Sequence, residues 1–216
     1  MKYIFVAGAP GSKWSSVVKN IYYSSSIDRS DYRDDWTYYH DAGDTGVKEL
    51  MHLGAYFDPG MACELPEYFN SMTKFQAERH FDQPFAGTAG MQAQGIRIIK
   101  SHIFSYYENI EYLRRHWPEC PVVLVHRSND ACLGWWVKCG HFDITYPSYS
   151  IYYRDLKTMA GIIKQQNQGI LSAHDQLKPH TVYTNDRLAL ILGISCPPAE
   201  YQQNYTANNI DVRVIL

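Results

Sequence analysis

The sequence holds no Cys-x-x-Cys pair, no excess of charge of either sign, and no apolar run near the roughly 20 residues that a membrane span needs. Each absence excludes something. Five cysteines (Cys63, Cys120, Cys132, Cys139 and Cys196) leave one over in any pairing. Neither a disulfide framework nor a zinc site is therefore indicated, and reduced thiols are expected. Twenty basic residues face 22 acidic ones, which argues against a protein that coats nucleic acid, and any anion must be held locally. The first apolar stretch, Tyr3 to Ala7, is too short for a signal-peptide core, and a cytoplasmic protein is expected. There is no internal repeat and no low-complexity linker. Residues 1–216 are accordingly read as one domain, within the roughly 200–250 residues that single α/β domains reach.

What the chain has is tyrosine, 18 residues of it in an aromatic fraction of 14%. Rings that both stack and hydrogen-bond suit a carbohydrate, nucleobase or phenolic ligand, and equally a half-polar core. Lys2-Tyr-Ile-Phe-Val-Ala-Gly8 is a β-rich apolar run ending at breakers, the pattern of a buried parallel strand. A helix is predicted from Lys13, capped by Ser12. Helices are also predicted over about Val47–Tyr56 and Leu65–Phe81, the second from apolar residues at Leu65, Tyr68, Phe69, Met72 and Phe75. Ile96 to His102 and Pro121 to Arg127 read as further strands. Helices follow at about Tyr106–Trp117 and from Ser128 to about Cys139. A long helix at about Ile151–Gln176, a strand Thr181–Thr184, a helix ending at Gly193 and a strand Val212–Ile215 complete the order. Alternating strands and helices imply an α/β fold of three layers, with a mostly parallel central sheet flanked by helices.

Ligands of such sheets bind beyond the carboxyl ends of the strands, and three ends carry suggestive residues. Gly8-Ala-Pro-Gly-Ser-Lys-Trp-Ser-Ser16 joins the first strand to a helix. Its backbone N–H groups and helix N-terminus form an anion cradle, with Lys13 as a point charge and Ser12, Ser15 and Ser16 as donors. It fails the Gly-x-x-x-x-Gly-Lys-[Ser/Thr] pattern of a Mg-nucleotide P-loop, and an ordinary capped turn is the bland reading. Lys100 and His102, two apart on a strand, project to one face and pair a cation with an imidazole that titrates near neutrality. Arg127 ends the third strand ahead of Ser128-Asn129-Asp130, placed to fork onto a phosphate or to bridge a carboxylate.

In order along the chain, these segments resemble the sulfotransferases that use 3′-phosphoadenosine 5′-phosphosulfate. Pro10-Gly11-Ser12-Lys13-Trp14-Ser15 is similar to the family's 5′-phosphosulfate loop, Pro-[Lys/Arg]-Ser-Gly-Thr-[Thr/Ser]. Ile98-Ile99-Lys100-Ser101-His102 resembles its Lys-Thr-His segment, and Val122 to Arg127 with Ser-Asn-Asp130 its 3′-phosphate segment. Tyr183-Thr-Asn-Asp-Arg-Leu188 is similar to its Tyr-Glu-Asp-Leu stretch. The resemblance spans about residues 3–194 and implies a P-loop NTPase-like sulfotransferase fold. It also implies transfer of a sulfuryl group to the hydroxyl of a small molecule or carbohydrate, without a metal. On this basis His102 is the general base, and Lys100 and Lys13 stabilise developing charge. Gly11, Ser12, Lys13, Trp14, Ser15, Ser16, Arg127, Ser128 and Tyr183 bind the donor. The chain departs from the family in several places: Gly11 stands where a basic residue belongs, Lys13 at the family's Gly position and Gly134 where a phosphate-binding Ser belongs, one residue is missing after Arg127, and no Arg-Lys-Gly segment appears near the C-terminus. The alternatives are a P-loop-type nucleotide kinase and a non-catalytic nucleotide-binding module of the same fold.

The acceptor is not specified by any motif. Residues 28–95 and 140–155 hold Trp36, Tyr38, Tyr39, Tyr56, Phe57, Phe85, His141, Phe142, Tyr146, Tyr149, Tyr152 and Tyr153, an aromatic wall or simply core and lid packing. Tyr38, Tyr39 and His40 are singled out because they follow a candidate strand and precede a Gly-rich loop.

Overall fold

A computed structural model describes residues 1–31, 39–41, 48–50, 53–57, 66–85, 95–138 and 155–216. The first apolar run forms β1 (Tyr3–Gly8), every residue of which is buried. Helix α1 (Trp14–Tyr22) follows, and β2 (Tyr39–Asp41) pairs antiparallel with β3 (Lys48–Leu50) in a hairpin of its own. β4 (Ala55–Tyr56), α2 (Pro66–Asn70) and α3 (Lys74–Asp82) lead to β5 (Arg97–Ser101). A 3-10 turn over His102–Ser105, α4 (Tyr107–His116) and β6 (Val122–His126) come next. Then α5 (Asn129–Lys138), α6 (Leu156–Leu177), β7 (His180–Val182), α7 (Asn185–Leu192) and β8 (Asp211–Ile215) complete the chain.

The sheet order is β4-β5-β1-β6-β8-β7. β1 is parallel to β5 on one edge and to β6 on the other, and β4 is parallel to β5, whereas β8 runs antiparallel to both β6 and β7. The expected layered α/β sheet is therefore present and mixed. Alternation along β1 divides the core: Tyr3, Phe5 and Ala7 pack with Phe81, Phe104, Leu113, Trp117 and Ile170, under α3, α4 and α6. Ile4 and Val6 pack on the other face with Val17, Ile21, Leu188 and Leu192, under α1 and α7. Much of the aromatic content goes here, Phe5 meeting Phe81, Phe104 and Trp117 at centroid separations of 5.4–5.9 Å. Among the described residues no helix is long and apolar enough to cross a membrane.

Two predicted helices are corrected. Val47–Tyr56 contributes strands instead: Gly54 takes a φ of 79°, and Ala55 and Tyr56 pair with Ile99 and Lys100 at the sheet edge. Leu65–Phe81 is interrupted at Thr73, whose hydroxyl accepts from the Gln76 N–H while the Gln76 side chain accepts from the Thr73 N–H, starting α3 afresh. The restart shifts the helical phase, so Phe75 is exposed and Ala77 and Phe81 are buried. Phe57 and Phe85 lie in the core. At the amino end of β1 the Asp82 carboxylate accepts from Lys2 (2.7 Å), Tyr3 (2.8 Å) and Arg97 (2.5 Å). Burial works to raise this carboxyl, and the three hydrogen bonds outweigh it and hold it below the ordinary carboxylate value.

Two glycines of α6 make opposite demands. A Cβ on Gly169 would stand 2.2 Å from the Ser105 carbonyl oxygen, because the helix lies directly on the 102–105 turn, while a Cβ on Gly161 meets nothing within 4 Å. Urea unfolding of the two alanine variants is expected to give opposite signs. Gly161→Ala stabilises by about 0.5–1 kcal/mol through the lower chain entropy of the unfolded state, and Gly169→Ala destabilises by about 1–3 kcal/mol. Equal midpoints would contradict this packing.

Candidate functional site

The carboxyl ends of β5, β1 and β6 lie side by side because the three strands are parallel neighbours in that order. The β1–α1 loop emerges at the middle end. Ser12 N–H donates to the Ala9 carbonyl (3.0 Å) to close the turn, and Gly11 takes a φ of 78°. A Cβ on Gly11 would lie 2.0 Å from the Cys132 carbonyl oxygen. The loop thus runs against the first turn of α5, and no side chain fits at residue 11. That is the physical reason for a glycine at this position.

Ser12 does not cap α1, as its sequence position led us to expect. The N-cap is Lys13, in the left-handed region at φ 61° and without a side-chain cap bond. Ser12 is fully buried, and its Oγ has no hydrogen-bond partner among the described residues. Lys13 reaches sideways: its Nζ donates to Asn208 Oδ1 at 2.9 Å and stands 4.3 Å from the Trp135 ring centroid. Ser15 and Ser16 are half-buried in the first turn, Ser16 N–H donating to the Lys13 carbonyl (2.9 Å).

Arg127 joins the third strand end to this loop. Its Nη1 donates to the carbonyls of Gly11 (3.3 Å) and Ala131 (3.1 Å), and its buried Nε has no partner among the described residues. Asn167 of α6 fixes the arginine's backbone, its Nδ2 donating to the Arg127 carbonyl (2.8 Å) and to Asn129 Oδ1 (2.7 Å). Ser128 is engaged as the cap of α5, accepting from the Ala131 N–H (3.4 Å). A Cβ on Gly134, one turn on, meets nothing within 4 Å.

The strand ends at Ser101 and His102 opens the 3-10 turn, so Lys100 and His102 are not paired by strand alternation, yet both lie near the same indole. The His102 ring stacks on Trp14 at 4.2 Å and 21°, and Lys100 Nζ stands 6.0 Å from the Trp14 centroid. His102 lies against Gly8, with Nδ1 and the carbonyl oxygen 2.6 Å apart. A carbonyl only accepts, so Nδ1 carries the hydrogen and the neutral ring presents its basic lone pair at Nε2. Lys100 is 1% exposed and donates to the Leu53 carbonyl at 2.6 Å. Burial pushes its ammonium down to about 7, against the opposing pull of the Asp31 charge.

The remaining expected residues are less connected. Tyr183, on the turn from β7 into α7, is 75% exposed. Tyr39 and His40 belong to β2, apart from the main sheet. Tyr38, Trp36, His141, Phe142, Tyr146, Tyr149, Tyr152 and Tyr153 lie outside the described residues. Of the expected aromatic wall, Tyr56 reaches this site, edge-on to both Trp14 (5.9 Å) and His102 (6.0 Å). Sequence reasoning missed Asn167, Asn208, Trp135 and the Leu53 carbonyl. Only Asn167 left a trace, in the run Gln165-Gln166-Asn167-Gln168 that interrupts an otherwise amphipathic helix.

What the arrangement offers is an anion cradle of backbone amides and Arg127, with a tautomer-fixed imidazole and a proton-labile ammonium beside it. Among the described residues two buried polar atoms without partners, Ser12 Oγ and Arg127 Nε, belong to the same loop and strand end. No family model, curated protein or solved structure matches the chain.

The Lys100 environment sets a sign for stability against pH. Between about pH 7 and 10.5 the unfolded chain keeps the Lys100 proton and the folded chain does not, so this group makes stability rise with pH across that window. Lys100→Met removes the contribution. In urea titrations the wild-type minus variant difference is expected to climb by up to about 1.4 kcal/mol per pH unit from pH 7.5 to 9.5. A pH-independent difference would show that Lys100 stays charged.

Proposed function

We propose that the chain is a sulfotransferase that moves a sulfuryl group from 3′-phosphoadenosine 5′-phosphosulfate to an acceptor hydroxyl. One observation carries the reading: His102 is held on Gly8 and Arg127 on Gly11, so the candidate base and the candidate phosphate arginine flank the same loop. The residues fit the donor's two anionic ends. The β1–α1 loop and the first amides of α1 would take the 5′-phosphosulfate. Arg127 would take the 3′-phosphate, beside the open position at Gly134.

The donor supplies the sulfuryl group. His102 Nε2 accepts the proton of the acceptor hydroxyl as that oxygen bonds to sulfur and the sulfur–oxygen bond to the phosphate breaks. The amides of the loop and Lys100 stabilise the charge that builds on the departing oxygen. An anion beside Lys100 favours its protonated form, so the cation is strongest when the donor is bound. Lys13, tied to Asn208 and Trp135, lines the flank of the loop. The near-neutral chain then needs no basic surface, because every cation it uses is local.

Thermal melts with adenosine 3′,5′-bisphosphate, and separately with ATP and Mg²⁺, test the donor class. At about 100 times Kd a ligand stabilises by about 2.7 kcal/mol, or roughly 5–10 °C for a chain of this size. The bisphosphate is expected to give that shift; a shift with ATP and Mg²⁺ alone points to a nucleotide kinase. With radiolabelled donor and a panel of sugar, phenol and steroid hydroxyls, His102→Ala is expected to abolish transfer while bisphosphate binding stays within about threefold. Tight binding by the wild type with no transfer to any acceptor would favour a non-catalytic module, and parallel loss of binding in the variant would make His102 structural.

A further inference from the structure

His174 is buried near the carboxyl end of α6, and neither of its ring nitrogens has a hydrogen-bond partner among the described residues. What lies beneath it is charged. His126 of β6 stands opposite Asp211 of β8, and alternation turns His126, Asp211 and Arg213 to the sheet face on which Leu124 and Ile215 join Ile170 and Ala173 of α6 in one core. The Asp211 carboxylate accepts from Arg213 Nε (3.1 Å) and Nη2 (3.0 Å). Its Oδ2 is 3.8 Å from His174 Nδ1, beyond hydrogen-bond reach, and the two imidazoles meet edge to face at 6.1 Å and 75°. From the other elements packed on α6, Tyr107 of α4 reaches Gln176, while α5 and the 102–105 turn meet the helix nearer its amino end, at Asn167 and Gly169. A charge on His174 would therefore be poorly balanced. Asp211 is already paired with a guanidinium, His126 is a second ring of the same kind, and Asp175 of the same helix is exposed to the water that screens it. Burial, the largest cause for both histidines, holds them below the ordinary imidazole value against the pull of Asp211.

The same helix holds the end of β6 at a second place. Asn167, two turns or about 10 Å earlier on α6, donates to the Arg127 carbonyl and to Asn129 Oδ1. Arg127 directly follows His126, so α6 braces two successive residues of the strand end that carries the candidate phosphate arginine. We infer that the His174–His126 contact is an acid-sensitive brace: proton uptake by these rings parts α6 from β6 and β8 and loosens the strand end that holds Arg127, so that acid weakens the grip on an anion from outside the site. The sign follows from burial. A ring that binds its proton more weakly when folded than when exposed gives stability that is complete above the ordinary imidazole value of about 6.5 and is lost as pH falls. Each unit between the folded and exposed values is worth a factor of about ten in the equilibrium constant for opening. The inference goes beyond the proposed function and uses that reading only for the ligand in one arm of its test.

In the full-length wild type, the His174 Cε1–H resonance is expected to titrate below the ordinary histidine range. Amide exchange, corrected for its intrinsic rate, is expected to show the opening constant of β8 and of the first turn of α5 rising about tenfold or more from pH 7 to pH 5. His174→Leu keeps an apolar side chain of similar size, removes the proton site and is expected to flatten that rise. Arg213→Met frees Asp211 for the ring, and is expected to move the His174 titration upward and to shrink the rise. Kd for adenosine 3′,5′-bisphosphate is compared between wild type and His174→Leu at each pH, so that the ligand's own titration cancels. It is expected to weaken at pH 5 by at least about threefold more in the wild type. A wild-type His174 that titrates at or above the ordinary value overturns the inference, as does an unchanged rise in His174→Leu. Equal loss of affinity in the two chains overturns the link to Arg127. Should His174→Leu not fold, the wild-type titration and Arg213→Met decide. Should the bisphosphate bind at no pH, the proposed function fails by itself, and titration and exchange still decide whether the brace exists.

Discussion

β1 is hydrogen-bonded along both edges, to β5 and to β6, and none of its six residues reaches solvent. A strand so enclosed offers only its carboxyl end to chemistry, and its parallel neighbours end beside it. Gly8 and Gly11 show what that geometry demands. The Gly8 carbonyl receives the histidine that follows β5, and Gly11 passes so close to the Cys132 carbonyl that any side chain would collide with α5. Arg127, after β6, then ties back to the Gly11 carbonyl. Three segments far apart in sequence are thus bound to one loop through its backbone, and changing the register of any of the three strands would separate them.

The electrostatics follow from how much water that packing excludes. An ammonium with one carbonyl partner recovers about 1.5–3 kcal/mol from the hydrogen bond, well short of what full burial of a charge costs. Lys100 therefore sheds its proton near pH 7. A unit negative charge about 4 Å away contributes on the order of 4 kcal/mol at an effective dielectric constant near 20. That is enough to restore most of what burial removes. An anion placed beside this lysine would restore its proton, so anion binding there and protonation would be coupled. His102 shares its Nδ1 hydrogen with a backbone carbonyl and its face with Trp14.

How much of this was legible depends on the range of the forces involved. The strands at β1, β5 and β6 were readable because a strand buried on both faces must be apolar throughout, and their ends named Lys100, His102 and Arg127 directly. The helix break at Thr73 was also written locally, as a Thr-x-x-Gln capping box, and a long apolar periodicity hid it. Other features have no local signature. Ala55 and Tyr56 became a strand because β5 offered an unpaired edge, and β8 runs antiparallel because β6 and β7 accept it so. Trp14 and Lys13 looked like ligand-binding residues from their place in the loop. Their partners, His102 and Asn208, are brought to them only by the fold.

The glycine at residue 11 shows how such a departure is to be weighed. A basic side chain there would give the loop a charge of its own, and a glycine first reads as a weaker anion site. The packing reverses that reading. Without a side chain at residue 11 the loop settles onto α5, which brings the Gly11 carbonyl within reach of Arg127 and sets the arginine beside the loop amides. A cation from a neighbouring strand end, held by two carbonyls and braced from behind by Asn167, is thus tied to the loop. A guanidinium so held has lost much of its rotamer freedom before any anion arrives, which lowers the cost of binding. Preorganisation of one arginine, rather than the number of basic residues in the loop, is what this arrangement offers an anionic ligand.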